Sequence, residues 1–489
     1  MSRVIDTGAV ALLITVSVAA LVLTGSPLPT LGLLLAIAGL YLLSRTPTRV
    51  ATLGLFALLL FSHSPQDKPA DGLWTSPLEL VGSALLTNLS TSVGAPLNLS
   101  PFDLLCALVF ALWVLRDGGA VRNPVPVELR RALAFFGVAI VLFVALGMAQ
   151  GGEFQKAYWQ VRQLIYLPLL GLLAAMTLEG PGDLRAVGKL VVGSALAKAA
   201  CGVWFHFVIC KLRGLSPPYV TTHADTLHFV IAVTLIISAW LEHPGRRTTR
   251  SLLLALPLLY VIVLNDRRIA WIALMGGLFA VLVASPRLKA KRLVLRAGLV
   301  LAPVLLLYVA AGWGARSRVF APVATLHSMV DAKQDSSTES REIENFNLAE
   351  TLRAHPLGMG FGRPYIERVV GPDIASIFAL YRYIPHNSVL WLLAVFGPLG
   401  FLTLLLPLSL GTYYAVRAHL GSADWRERVA CACAIACVFG WLAQAFGDMG
   451  TESWTTVPLI VLALILPAKI FTAQSRETQP QPVLLGATT

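Results

Sequence analysis

Charge is what this sequence has too little of. Of its 489 residues only 13% are charged while 56% are hydrophobic, and the mean hydropathy is +0.73. A soluble globular domain carries roughly 25% charged residues, so this chain has too few to cover its own apolar surface in water. Lipid has to cover it. Cysteine is scarce as well, and Cys106, Cys201, Cys210, Cys431, Cys433 and Cys437 show no metal-ligand or disulfide spacing. All six fall inside or beside apolar runs, where they serve as small hydrophobes. Asp-x-Asp pairs and His-rich clusters, the usual marks of a metal site, are missing as well. Basic stripes interleaved with aromatics are missing too, and the net charge of +12 therefore does not point to nucleic acid.

What is there is a long succession of apolar runs. Fourteen can be placed: 8–24, 30–44, 50–62, 101–115, 133–149, 163–178, 190–210, 226–241, 251–265, 268–284, 294–312, 387–415, 429–447 and 455–471. Some are shorter than the roughly 20 residues of a straight span, and the count becomes twelve if the pairs at 30–62 or 251–284 are re-entrant. Arg3 followed by the first run imitates a signal peptide. Gly25-Ser26-Pro27 leads straight into the next run with no small-x-small cleavage site, so we read an uncleaved span. With the N-terminus in the cytoplasm, the inward loops collect Arg45 and Arg49, four arginines over 116–131, Arg246, Arg247 and Arg250, five cations over 287–296, and Arg417, Arg426 and Arg428. The short outward loops hold far fewer, which is the positive-inside bias of an inserted bundle. The reading is an all-α polytopic inner-membrane protein of about 12–14 transmembrane helices. Residues 1–312 form an N-terminal bundle, 313–385 one large outward loop with short helices, and 386–471 C-terminal helices. A cytoplasmic tail, 472–489, is expected to be disordered.

The large loop has its own signals. Ser336 and Glu339 have capping-box spacing, and Ile343, Phe346 and Leu352 suggest an amphipathic helix ending near His355-Pro356. Gly358, Gly360 and Gly362 follow, without the Lys-Ser/Thr of a phosphate loop. They read either as a flexible turn or as backbone lying close to a ligand.

Polar residues gather at the outward ends of the spans. Arg162 opens one segment, Asp266-Arg267-Arg268 forms a tight turn, and Arg382, His386 and Asn387 mark where the large loop returns to the membrane. A single interfacial arginine usually snorkels to lipid phosphate. Several beside a folded loop suit an anionic ligand, because the guanidinium fork donates two parallel bonds and never loses its charge. Asn387 can cap the helix starting at Ser388, whose positive end would also face an anion. A neutral His386 imidazole could take a proton from a sugar hydroxyl near neutral pH.

His386-Asn387, nine residues, Gly397, two residues, Gly400 resembles the His-Asn/Ser/Gln, x9, Gly-x-x-Gly motif of bacterial O-antigen ligases, a pattern similar in related polysaccharide polymerases. Ser337-Thr338-Glu339-Ser340-Arg341 through His355-Pro356 to Gly362 is also similar to what precedes that histidine. The motif covers about fifteen residues and the whole likeness about 226–447. Two departures stand out: more spans than the usual twelve, and Asp266-Arg267-Arg268 in place of a frequent Ser-Arg. The resemblance implies a metal-independent, inverting membrane glycosyltransferase without a cofactor. It would take a saccharide from undecaprenyl pyrophosphate to an acceptor hydroxyl, on a glycan or on lipid A-core, on the periplasmic side. His386 would be the base. Arg162, Arg267, Arg268 and Arg382 would hold the pyrophosphate, with Arg341 and Asn387 as further candidates. Ligase and polymerase remain open, as does a lipid-linked-oligosaccharide flippase, for which only Lys198 lies at mid-membrane. Lys198 reads as an ion-pair member or a trace of transport. Gly397 and Gly400 read as small residues that let helices approach, with Pro398 kinking between them.

Overall fold

A computed structural model describes residues 39, 41–63, 76–89, 99–117, 123–217, 219–286, 289–315, 317–320, 323, 336–371, 380–447 and 453–477. The run at 8–24, most of that at 30–44, the Ser336 side chain of the capping pair and the tail from 478 lie outside them. No strand occurs among the described residues, and the chain is an all-α polytopic membrane protein. Hydrocarbon offers the backbone no partners, so each crossing segment bonds to itself as a helix.

In chain order the helices are α1 (Thr48–Phe61), α2 (Pro77–Leu86), α3 (Pro101–Asp117), α4 (Val127–Ala149), α5 (Phe154–Val161) and α6 (Tyr166–Thr177). There follow α7 (Pro181–Arg213), α8 (His223–Glu242), α9 (Arg246–Leu264), α10 (Arg268–Ala284) and α11 (Lys289–Gly312). The last four are α12 (Ser336–Ala354), α13 (Ser388–Gly421), α14 (Trp425–Gly447) and α15 (Thr456–Glu477). Among the described residues eight of these are long and apolar enough to cross a bilayer, and α1, α2, α6 and α10 are shorter apolar helices. Every apolar run from 50–62 onward coincides with a helix. Several helices extend beyond their runs: α4 starts at Val127, α7 at Pro181, and α15 continues past Phe471 to Glu477, while α2 falls between runs.

The core is built from α8, α10, α13, α14 and α15. α14 packs through small residues, with Cys431, Cys433 and Cys437 buried as thiols, as small hydrophobes should be. Its Phe439 lies against Gly276 of α10 so closely that a Cβ there would clash. Val138, Val141 and Leu142 of α4 and most of α11 are exposed, which is the apolar exterior that lipid covers. Lys198 is fully buried and paired: its Nζ lies 2.6 Å from Asp225 Oδ1 and 2.9 Å from Thr455 Oγ1. Asp225 is also 3.2 Å from the His63 ring, so one ionic cluster ties α7, α8 and the ends of α1 and α15 together.

One joint fastens the large loop to the bundle. α13 breaks at Gly397 (φ 62°, ψ 174°), a backbone region open essentially to glycine alone. Pro398 has no N–H to offer Ala394, and the break also strands the Val395 carbonyl. Met359 and Gly360 supply the missing donors, each at 3.0 Å. Gly358 (φ 97°) lies so close to residues 395–397 that any Cβ would overlap them, and Gly397 is equally tight against Leu357. The glycine run is therefore neither a flexible turn nor a ligand cradle. Its N–H groups at 358–362 are all bonded within the protein, and it is the counterpart of the Gly397-Pro398 break. Gly400 does admit a neighbouring helix, through Phe143 of α4. Gly397→Ala should cost about 2–3 kcal/mol from backbone strain and overlap, read as a lower unfolding midpoint. An unchanged midpoint would contradict this joint.

Candidate functional site

α12 crosses the top of α13 and meets it residue for residue. Glu344 faces His386, and Asn345 faces Asn387. The Glu344 carboxylate accepts from the His386 backbone N–H at 3.2 Å and lies 3.0 and 3.1 Å from the ring Nδ1. Nδ1–H donated to a carboxylate fixes the tautomer in which Nε2 carries the lone pair, the arrangement of an oriented general base. Asn387 accepts from the Leu390 N–H at 3.1 Å, capping α13 as its sequence suggested, and donates to Asn345 at 3.0 Å. His386 is thus held from both sides while about a third of its side chain stays exposed.

The α12 side chains also shape the loop. Asn347 and Thr351 are buried because they bond the backbone that follows: Asn347 takes the N–H groups of Arg368 and Val369, and Thr351 that of Ile366. This corrects the amphipathic face expected from Ile343, Phe346 and Leu352. The buried stripe is Asn347, Leu348 and Thr351, and Phe346 is exposed. With residues 365–369 clipped in place, Tyr365 and Glu367 turn toward His386. A cavity of about 220 Å³ results, its wall including Arg341, Glu344, Tyr365, Glu367, Tyr381 and His386. Burial, with the Glu344 and Glu367 carboxylates nearby, pushes the Tyr365 phenol well above its ordinary value, so it remains a proton donor.

The arginines divide. Arg341 lines the cavity. Arg382 stands just behind it, 3.2 Å from Glu367 and over the Tyr381 ring. Arg162 sits in a separate, buried aromatic box, its guanidinium 5.2–5.7 Å from the ring centroids of Tyr158, Trp159 and Trp454. It donates to the Leu86 carbonyl at 2.7 Å and lies 4.0 Å from Asp103, while its Nε is buried with no hydrogen-bond partner among the described residues. The box adjoins the loop through Gln160, which donates to the Tyr383 carbonyl at 2.7 Å and accepts from the Gly362 N–H at 2.5 Å. Arg267 lies over the Tyr219 ring at 5.1 Å, and Arg268 begins α10. Neither belongs to the cavity wall. Their turn is held by buried Asn265, which binds Val220, Thr221 and Thr226, and Asp266 adopts a positive φ of 45°. Arg267 borders Gln444 near the end of α14, so the turn shares the His386 end of the bundle.

Glu344, Glu367 and Tyr365 escaped the sequence reading. Glu344 stands one residue after Ile343, a place where an acidic side chain on an amphipathic helix normally faces solvent. The only available signal was an acidic residue in the helix preceding a lone histidine, and that is weak. No group of three or more His, Cys, Asp or Glu able to hold a metal occurs among the described residues.

Residues 252–405 match a family model described as O-antigen ligase. The match begins in α9, includes the Arg267-Arg268 turn, α12 and His386, and ends in α13 beyond the Gly397 break. Among curated proteins no match is found. The family match supports a ligase or polymerase activity of the O-antigen type, a glycosyltransferase-like chemistry, in a multi-pass membrane chain.

Proposed function

We propose, from the premise that residues 252–405 are an O-antigen ligase domain of the ligase and polymerase superfamily, that this chain transfers a saccharide from undecaprenyl pyrophosphate to an acceptor hydroxyl on the periplasmic side of the inner membrane. The observation that carries the reading is the His386–Glu344 pair on the wall of a cavity where the loop re-enters the bundle. His386 Nε2 takes the proton of the acceptor hydroxyl as its oxygen attacks the anomeric carbon. The new glycosidic bond forms while the bond from that carbon to phosphate breaks, and the carrier pyrophosphate leaves with the electron pair. One displacement inverts the anomeric centre, and no metal takes part.

Charge divides the labour between the two halves of the site. Glu344 and Glu367 would repel a pyrophosphate but suit the hydroxyls of a sugar, so the cavity takes acceptor and saccharide. Tyr365, held protonated, donates to a sugar oxygen. The pyrophosphate falls to the arginines outside the cavity: Arg382 behind it, Arg162 beyond Gln160, and Arg267 and Arg268 at the same end of the bundle. Guanidinium groups held by their protein contacts stabilise the departing charge. Arg341 offsets the two carboxylates, and the Asn387-capped end of α13 adds its positive dipole.

Glu344 is a positioning residue. Glu344→Gln should lower kcat about a hundredfold, because the charge that steadies the imidazolium is gone, while KM for the donor stays within about twofold. A proportional rise in KM with kcat intact would give Glu344 a binding role instead. The function itself is tested with purified protein in proteoliposomes, supplied with an undecaprenyl-pyrophosphate glycan and acceptor in excess EDTA. New glycosidic bonds are expected. Movement of intact carrier across the bilayer without bond formation would make the protein a flippase and overturn the proposal. Glycan added to lipid A-core would mark a ligase, and glycan added to another carrier-linked repeat a polymerase.

A further inference from the structure

At the end of the bundle away from His386, α7, α8, α14 and α15 leave a groove of about 560 Å³ between them, within the usual range of ligand sites. α13 carries the chain from His386 to Gly421 before α14 begins, so Trp425 and Arg426 mark the opposite membrane face. From there the groove rises between Leu196 and Cys437 into the apolar interior. Two glycines of α7 keep it open, since a Cβ on Gly188 or Gly193 would meet no atom within 4 Å.

The mouth is basic. Arg185, Lys189 and Arg426 line it beside Trp425. Arg426 lies over the Trp425 ring at 5.0 Å, with Asp424 at 3.5 Å. Arg185 and Lys189 are exposed and make no hydrogen bond or ion pair with a described residue. Two uncompensated cations at the foot of an apolar slot, flanked by an interfacial tryptophan, complement one kind of membrane molecule: an anionic headgroup with a hydrocarbon chain.

We infer that this groove binds an acidic glycerophospholipid from the leaflet opposite the large loop, one acyl chain between the helices and the headgroup phosphate on Arg185, Lys189 and Arg426. The isoprenoid donor fits poorly here. A carrier entering from this face would leave its phosphates a membrane's thickness from His386. The bound lipid joins α7 to three helices of the core and stabilises the folded chain by mass action.

The test uses the full chain in dodecyl maltoside, titrated with palmitoyl-oleoyl phosphatidylglycerol, phosphatidylcholine or undecaprenyl phosphate. The unfolding midpoint is followed by tryptophan fluorescence, and retained lipid by native mass spectrometry. Phosphatidylglycerol should raise the midpoint and phosphatidylcholine should not. Arg185→Gln/Lys189→Gln should need about tenfold more phosphatidylglycerol for the same rise. Gly193→Phe, which fills the groove from a position with open space around it, should abolish the rise. Should Gly193→Phe fail to fold, Gly188→Leu and the charge variant carry the test. Equal stabilisation by phosphatidylcholine, an unshifted titration in the charge variant, or stronger stabilisation by undecaprenyl phosphate would each overturn the assignment.

Discussion

Replacing His386 by alanine should lower glycan transfer about 10²–10⁴-fold, the range lost with a general base, while donor binding stays within about twofold. The variant leaves the fold intact for a structural reason. Glu344 also binds the backbone N–H of residue 386, and the Asn345–Asn387 contact and the α13 cap need no imidazole. The variant loses the proton acceptor and the ring's bond to Glu344. In cells the same variant separates the two remaining activities. A ligase without its base strands long chains on the carrier, and a polymerase without its base accumulates single repeats. Rates in proteoliposomes, with retained carrier measured alongside, check the expectation. Normal glycan products from His386→Ala would remove the histidine from the chemistry.

Lys198→Met should be the most damaging substitution for stability, at about 3–5 kcal/mol, because it leaves the Asp225 carboxylate buried with only His63 and its own helix cap beside it. A loss of that size is a large share of the margin by which proteins stay folded. Unfolding midpoint and yield of membrane-inserted protein report it. Lys198→Met/Asp225→Asn should recover much of the loss, since the uncompensated charge goes while the Thr222 cap keeps an acceptor. The same geometry bears on transport. Lys198 bonds Asp225 and Thr455 at a junction of four elements, so it holds helices together as an ion-pair member. If the single variant were as stable as the wild type, the ionic cluster would have no structural role.

The helices were legible from hydropathy because the bilayer forces the issue: an apolar run that enters hydrocarbon must satisfy its own backbone. Hence runs such as 133–149 and 429–447 reappear as α4 and α14 with only their ends displaced. His386 and Asn387 were legible through their place at a helix start, and Asn387 is the cap its residue type suggested. What stayed hidden depends on contacts between distant segments. The glycines at 358–362 and at 397 read as two separate signals, but each exists because of the other, through main-chain bonds that neither segment announces. Glu344 lies 42 residues before His386 and looks like any solvated helix charge. Asn347 and Thr351 broke the apolar pattern of α12 because their buried partners are backbone amides of the segment at 366–369. Arg162 was visible as an interfacial arginine, but its aromatic box borrows Trp454 from near the far end of the chain.

The most direct measurement concerns the side of the membrane on which His386 meets its substrate. Arg353 of α12 is largely exposed, Arg417 is exposed near the other end of α13, and five of the six native cysteines are buried, which keeps background labelling low. In intact spheroplasts a membrane-impermeant maleimide should label Arg353→Cys at once and Arg417→Cys only after permeabilisation. Labelling in the reverse order would put the imidazole in the cytosol, out of reach of an exported lipid-linked glycan, and the proposed transfer would be wrong.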